Sequence, residues 1–131
     1  MVGRTVLEFG LRCADGTSLD AASPGIAAAL GTPLEFDEYH QFPAFVGSVF
    51  GMTIALFEWG GPRGTTLLAL EGSVEDAAFV MFPDGSVRQA DSVDISDAVA
   101  DLLAVRGAGQ WHRPTEAELA AHTAYSRAGD P

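Results

Sequence analysis

Residues 52–71 read MTIALFEWGGPRGTTLLALE, and this stretch decides the fold because it predicts a β-hairpin. Two apolar runs with high strand propensity, Met52–Trp59 and Thr65–Glu71, flank the glycine- and proline-containing segment 60–64. Near-continuous apolar runs are typical of strands that are covered on both faces. We therefore expect this hairpin at the centre of a sheet.

Further strands are predicted on both sides of this hairpin. Thr5–Cys13 alternates and is rich in β-branched and aromatic residues, which favours a strand. Leu34–Tyr39 alternates leucine and phenylalanine with acidic residues, which indicates an exposed strand or a structured loop. Downstream, Ala77–Phe82 and Ser86–Ala90 flank a Pro-Asp-Gly turn, which predicts a second hairpin. The four strands of the two hairpins together indicate a meander of about four core strands.

A short helix is predicted between the first strand, Thr5–Cys13, and the acidic segment, Leu34–Tyr39. Ser23 provides an N-cap, Pro24 suits the first turn, and Gly31 lies where a helix would end. The predicted helix is therefore Gly25–Leu30. Residues 40–51 contain one proline and two glycines, so the pattern predicts no regular element there, although the segment is rich in phenylalanine and valine.

The C-terminal third changes to helical spacing. Apolar residues recur at helical intervals over residues 95–106, and Gly107 follows. Thr115–Glu118 has the spacing of a capping box and predicts a second helix to about Arg127. The sequence thus predicts one α+β domain over residues 1–131, an antiparallel sheet of about four to six strands in a meander with two C-terminal helices packed on one face.

Charge limits the classes of partner. Eighteen Asp and Glu face seven Lys and Arg, all of them arginine, for a net charge of −11. Nucleic acid and anionic membrane surfaces attract clustered Lys and Arg, so neither is an expected partner. A basic protein partner is favoured instead, because complementary charge speeds encounter. The absence of a signal-like N-terminus and of a long apolar run predicts a cytoplasmic protein.

No motif specifies an enzyme, a metal or a cofactor. The single cysteine, Cys13, lies in an alternating apolar stretch and is interpreted as a buried small hydrophobe. Three histidines, His40, His112 and His122, have no spacing that forces them together, so no metal site is expected. No phosphate-binding loop or nucleophile elbow occurs, and we predict no catalytic residue and no cofactor.

Glu58 and Glu71 support an alternative, because each lies in an apolar strand beside a glycine turn. The favoured interpretation places both at the rim, where a carboxylate reaches water. If both instead lined a pocket with His40 and Trp59, the chain would be a small-molecule-binding or enzymatic domain. A third interpretation is a homo-oligomeric accessory subunit, and a homodimer is compatible with every one of these hypotheses.

Part of the chain resembles one family of small bacterial immunity proteins, which neutralise the toxin domains of polymorphic toxin systems. The resemblance covers residues 80–115: the strand and turn Phe82–Ser86, the helix Ala98–Ala104, a glycine-bearing joint, and Arg113–Thr115. The family's proline-containing link into the helix is replaced here by Val87–Asp94, and Trp111 precedes the Arg-Pro dipeptide. The resemblance implies a non-enzymatic protein that occludes the active face of a toxin.

The leading hypothesis is therefore a cytoplasmic protein-binding inhibitor of the immunity or antitoxin type, with a basic partner such as a toxin domain. The acidic segment and the aromatic residues near it are the expected contact surface, together with a tryptophan in the joint between the two predicted helices. The predicted partner-binding residues are Glu35, Asp37, Glu38, Phe42, Phe45 and Trp111. Trp111 has a second interpretation, in which it fills the joint against the sheet.

Overall fold

The computed structural model describes residues 5–74, 79–81, 83–85, 87–89 and 91–121. In chain order the elements are β1 (Thr5–Cys13), α1 (Leu19–Leu30), β2 (Glu35–Tyr39), β3 (Phe42–Val49), β4 (Met52–Gly60), β5 (Thr66–Ser73), β6 (Phe79–Met81), β7 (Val87–Gln89), β8 (Asp91–Asp94) and α2 (Ser96–Val105). A 3₁₀ turn at Pro62–Gly64 joins β4 to β5, and residues 116–121 form a further helical segment, α3.

The main sheet has six strands in the order β2-β3-β4-β5-β1-β8. The predicted hairpin β4–β5 is confirmed at its centre, and β2 to β5 form an antiparallel meander. The α+β class is confirmed, but two finer predictions are wrong. The sheet is mixed because β8 pairs in parallel with β1, and the helices are not all C-terminal because α1 precedes β2.

The second predicted hairpin forms, but apart from the main sheet. Strands β6 and β7 pair antiparallel, with Phe79 opposite Gln89 and Met81 opposite Val87. They make their own two-stranded sheet instead of extending the meander. The other predicted strand residues, 77, 78, 82, 86 and 90, lie outside the described residues.

Helix α1 begins earlier than the sequence predicted. Its N-cap is Ser18, whose side-chain oxygen accepts a hydrogen bond from the Ala21 N–H at 3.2 Å. Pro24 therefore lies inside the helix, where it has no N–H to donate to the carbonyl four residues earlier. The predicted end is confirmed, since Gly31 adopts a left-handed conformation with φ 69°.

Strand β3 corrects the prediction that residues 40–51 form no regular element. Pro43 lies opposite Glu38 of β2, just before the pairing of β3 with β4 begins at Ala44, so its missing N–H costs no ladder bond. Gly47 admits a close approach of the backbone, because a Cβ there would lie 2.5 Å from the Pro33 carbonyl oxygen. Pro43 and Gly47 are therefore both compatible with strand β3.

The helices cover one face of the sheet. Alternate residues of β1, β4 and β5 pack there against Ile26 and Ala29 of α1 and Val99 and Leu103 of α2. The fully buried strand side chains of this core are Leu11, Ile54, Leu56 and Leu70. The predicted helix at residues 95–106 is confirmed as α2. The opposite, helix-free face carries a smaller cluster that includes Tyr39, Phe57 and Trp59.

Two tight turns set the register of β2, β3 and β4. Residues 40 and 41 join β2 to β3, Phe50 and Gly51 join β3 to β4, and all four have positive φ, as type I′ hairpin turns require. Phe50 has φ 50° and is 86% exposed, so it gains little from packing. Glycine fits the second position of the turn without strain.

We expect Phe50→Asn to stabilise the protein by about 1 kcal/mol, because asparagine tolerates the left-handed conformation that phenylalanine adopts at a cost. Urea unfolding of the two proteins measures the difference. The matched change Gly51→Ala is expected to destabilise, since alanine would be forced to positive φ. A stabilisation by Gly51→Ala would contradict this turn assignment.

Candidate functional site

Strand β2 forms one edge of the sheet. It has a single hydrogen-bonded neighbour there, β3. Its first four residues, Glu35 to Glu38, are all exposed, and the Phe36 side chain is 67% exposed. An edge strand presents backbone N–H and C=O groups that have no partner within the sheet, and these groups can pair with another chain.

The backbone groups that point outward from β2 follow from its pairing with β3. The two-residue turn makes Tyr39 and Phe42 the closing hydrogen-bonded pair, and hydrogen-bonded and non-hydrogen-bonded pairs alternate from there. Glu38 and Phe36 therefore direct their N–H and C=O groups away from β3. The Glu38 N–H is covered by its own neighbour, because it donates to Asp37 Oδ1 at 2.8 Å.

The opposite edge of the sheet is formed by shorter segments, the four-residue strand β8 and the backbone of His112. Strand β8 covers Thr5 to Glu8 of β1, and beyond it the backbones of Arg12 and His112 exchange two hydrogen bonds of 2.7 and 3.0 Å. Arg113 fastens this region by donating to Asp94 at 2.6 Å and to Asp97 at 2.8 Å. Both terminal strands are thus exposed, and β2, with five residues against four in β8, is the longer one.

The two faces of β2 differ in chemistry. The register places Glu35 and Asp37 on the helix-free face, and Phe36 and Glu38 on the face that carries the helices. The three carboxylates predicted as partner-binding residues thus lie together on one exposed strand, with a phenylalanine between them. An added strand would meet negative charge on one side and an apolar ring followed by negative charge on the other.

Phe42 and Phe45 lie on opposite faces of β3. Phe42, half-buried, joins the helix-free cluster, with its ring centroid 4.9 Å from that of Trp59. Phe45 is also half-buried, packs against the helix-side core, and meets Phe36 edge-to-face with centroids 5.6 Å apart. Phe45 therefore packs against the Phe36 ring. Phe42 pairs with Tyr39 at the end of β2 next to the turn.

Trp111 lies away from the β2 edge. It is buried in the helix-side core, 8% exposed, and its Nε1–H donates to the Ala108 carbonyl at 3.0 Å. The residue next to it, His112, pairs with β1, and three strands separate β1 from β2. Trp111 therefore matches its second interpretation, in which it fills the joint between the helices and packs against the sheet. It does not lie with the other predicted contact residues.

Glu58 and Glu71 do not share a pocket. Glu58 pairs with Leu68 on the helix side of the sheet, whereas Glu71 pairs with Ala55 and projects on the helix-free side. Glu58 borders a cleft of about 280 Å³ with Trp59 and the β4–β5 turn, and Glu71 borders one of about 240 Å³. Both volumes are below the usual range of ligand pockets.

Arg12 holds Glu71 in a structural contact. The Arg12 side chain is 10% exposed, and its Nη2 lies 3.4 Å from Glu71 Oε1. Nη1 of the same guanidinium donates to the Leu11 carbonyl at 2.9 Å. The Glu71 carboxylate is therefore used to pair with a largely buried guanidinium inside the protein.

Cys13 borders a third cleft, of about 250 Å³, with Asp15, Thr17 and Trp111. Burial raises the pKa of its thiol, which disfavours the thiolate that a nucleophile needs. Asp15 accepts a hydrogen bond from the Thr17 N–H at 2.8 Å, and this bond lowers the pKa of the Asp15 carboxyl. The cleft thus holds a loop carboxylate and an unreactive thiol.

The predicted capping box at residues 115–118 is confirmed. The Thr115 hydroxyl accepts from the Glu118 N–H at 3.1 Å, and Glu118 Oε1 accepts from the Thr115 N–H at 2.9 Å. His112 Nε2 lies 2.9 and 3.0 Å from the two oxygens of Glu118. Among the described residues, no three His, Cys, Asp or Glu side chains form a metal-binding group, and His122 lies outside them.

The Glu118 carboxyl gives a pH-dependent contribution to stability. Burial raises its pKa, but hydrogen bonds from Thr115 and His112 outweigh burial and bring the pKa below the ordinary value of 4.5. A lowered folded-state pKa means that this contribution is present above about pH 4.5 and is lost as the pH falls through the folded-state pKa. Glu118→Gln should therefore cost about 1 kcal/mol at pH 7 and less at pH 3.

Urea unfolding of wild type and Glu118→Gln at the two pH values measures this change. Glu116→Gln is the matched control, because Glu116 is exposed and lies next to the same helix start. A stability difference that stays constant from pH 7 to pH 3 would contradict the assigned role of Glu118.

Phe36 is the site residue that the sequence analysis did not select. The segment Leu34–Tyr39 was interpreted as an exposed strand or a structured loop, and Phe36 in the resulting strand β2 is 67% exposed. The available signal was its place between Glu35 and Asp37, in a strand where carboxylates predominate.

Comparison of the chain with protein-family models, curated proteins and solved structures finds no match. In the part of the chain that the structure describes, no helix has the length and apolar character needed to cross a membrane.

Proposed function

We propose that this chain is a non-enzymatic cytoplasmic protein of the immunity or antitoxin type, which binds a basic protein partner through the β2 edge of its sheet. The observation that carries this proposal is the exposed strand Glu35–Tyr39, whose first four residues present three carboxylates and one phenylalanine at a sheet edge. An exposed aromatic ring surrounded by charge is typical of a protein-binding surface.

Charge supports a basic partner over other classes. The net charge of −11 repels nucleic acid. Three of the described arginines make contacts within the protein: Arg12 with Glu71, Arg106 with the Ala29 carbonyl, and Arg113 with Asp94 and Asp97. Toxins that act on nucleic acid carry basic substrate grooves. An acidic protein that occupies such a groove competes with the substrate by charge and by exclusion.

The test is a pull-down of tagged protein from source-cell lysate at low and high salt, read by mass spectrometry with quantified stoichiometry. The wild type is compared with the triple variant Glu35→Gln, Asp37→Asn, Glu38→Gln. The control triple variant is Asp20→Asn, Asp101→Asn, Glu116→Gln, which removes the same number of charges from exposed helix positions. We expect one basic protein to be captured by wild type and control, lost from the β2 variant and weakened by salt.

Capture of the same protein by all three proteins with equal yield would refute the assignment to β2. Capture of no basic protein at low salt would refute the proposed function.

A further inference from the structure

The outward backbone groups of β2 and its two chemically different faces point to a particular kind of partner segment. Phe36 and Glu38 direct backbone groups to the outside, and these are the groups through which one extended chain binds another. The carboxylates of Glu35 and Asp37 lie on one face of the strand, and the Phe36 ring lies on the other, where the Glu38 carboxylate follows it towards the turn. Backbone groups thus set the mode of binding, and side chains set the sequence preference.

We propose, resting on the proposed function above, that the partner binds by adding an extended segment as a further strand beside β2, and that this segment alternates arginine or lysine with apolar residues. The period of two in a strand places every basic side chain on the face of Glu35 and Asp37. The apolar side chains between them fall on the face of Phe36. Cross-strand pairs of opposite charge and of apolar groups then stabilise the added strand.

The contact between Asp37 and Glu38 fits this mode of binding. In the free protein the Asp37 carboxylate accepts the outward Glu38 N–H at 2.8 Å, which occupies a donor that would otherwise attract a strand. An arriving basic strand offers a carbonyl to that N–H and a cation to that carboxylate. Both groups exchange one partner for another, so neither is left unsatisfied.

A second copy of this chain is the other occupant that an edge strand invites. Pairing of β2 with itself would bring the carboxylates of Glu35, Asp37 and Glu38 close to those of the other copy. Like charges on paired strands destabilise a sheet. The charge of β2 thus disfavours self-pairing and selects a strand of opposite sign.

Binding of synthetic heptapeptides to the full chain tests the proposal by isothermal titration at low salt. The probe is Arg-Val-Arg-Val-Arg-Val-Arg, and the matched peptide has the same sequence with every internal amide N-methylated. N-methylation keeps the guanidinium groups but removes the backbone donors. We expect the methylated peptide to bind at least about tenfold more weakly, because backbone hydrogen bonds are lost. A glutamate-valine heptapeptide is expected not to bind.

Two variants of the protein test the same backbone hydrogen bonds by changing β2 and not the peptide. Phe36→Pro removes the outward N–H of Phe36 and leaves the β2–β3 ladder intact, because that N–H does not point towards β3. Phe36→Val keeps the N–H and is the control for loss of the ring. We expect the proline variant to bind the probe about tenfold more weakly than the valine variant. Retained amide protection in β3 verifies that both variants fold.

Equal binding of the methylated and unmethylated peptides, or equal binding by the proline and valine variants, overturns strand addition but leaves an acidic binding surface in place. No binding of the unmethylated probe also overturns strand addition. The lysate pull-down with the charge-neutralised variants then decides the proposed function independently.

Discussion

Reversal of the three β2 charges, Glu35→Arg, Asp37→Arg and Glu38→Arg, is expected to slow association with the arginine-valine heptapeptide by about 100-fold at low ionic strength. Charges at the rim of an interface act mainly on the encounter rate, and steering changes association rates by about 10- to 1000-fold. All three residues are exposed, so their replacement leaves the core unchanged. Stopped-flow fluorescence with a labelled peptide measures the rate.

Position, and not total charge, is the variable in this experiment. The control reverses Asp20, Asp101 and Glu116, which are exposed on α1, α2 and α3, and therefore carries the same net charge. We expect the control to slow association by less than about tenfold, because its charges lie on the helices and not on the docking strand, and the interaction of two charges weakens with distance. Equal slowing in both triple variants would refute steering by β2.

Gly72→Ala is expected to destabilise the fold by about 2–3 kcal/mol, the largest effect we expect from a single added methyl group. Gly72 lies directly opposite Phe9 in the β1–β5 pairing. A Cβ at this position would overlap the Phe9 ring, at 2.7 Å from Cδ1 and 2.9 Å from Cζ. Phe9 is 5% exposed and lies within the helix-side core, so the ring has little room to move. Urea unfolding measures the loss.

Gly10, which follows Phe9 in β1, provides the matched control. It lies opposite Glu71, one register position from Gly72, and a Cβ there would meet no atom within 4 Å. Gly10→Ala is expected to stabilise by about 0.5 kcal/mol, because alanine restricts the unfolded chain. In a Phe9→Leu background the cost of Gly72→Ala should fall by more than half, as expected for residues in contact. Equal costs at Gly10 and Gly72 would contradict this register.

The sequence predicted those strands whose signals are local. The β4–β5 hairpin and the β6–β7 turn follow from apolar runs and turn residues next to one another, and α2 follows from helical spacing. Strand β8 could not be predicted this way. Its four residues contain one large apolar side chain, Val93, and its partner β1 lies at the other end of the chain. Parallel pairing over that separation leaves no local pattern.

Proline and glycine led to wrong predictions at β3 and at the start of α1, where the tertiary structure accommodates them. Pro43 and Gly47 argued against β3, but one lies where no ladder bond to a neighbour is needed and the other where the backbone of Pro33 approaches. Ser23 and Pro24 gave a strong start signal for α1, yet the helix begins one and a half turns earlier at Ser18. Local propensity decides such cases only when packing does not.

The candidate site also contains residues that the sequence predicted and residues whose exposure it could not assign. Glu35, Asp37 and Glu38 were predicted from the density of carboxylates alone, and the structure places them together on an exposed edge. Phe36, Phe45 and Trp111 could not be sorted from sequence, because a large apolar side chain has the same local pattern whether it is buried or exposed. Their exposure depends on tertiary packing: Trp111 and Phe45 pack against the helix-side core, whereas Phe36 is 67% exposed.

Amide hydrogen exchange of β2, followed residue by residue by NMR on addition of the arginine-valine heptapeptide, tests the central claim most directly. We expect the outward amide of Phe36 to exchange fast in the free protein and that of Glu38, which donates to Asp37 Oδ1, to exchange more slowly, and we expect the peptide to increase the protection of both. The amides of Glu35, Asp37 and Tyr39 point towards β3 and should be protected throughout. Saturating peptide that does not increase the protection of Phe36 and Glu38 would contradict binding at this edge.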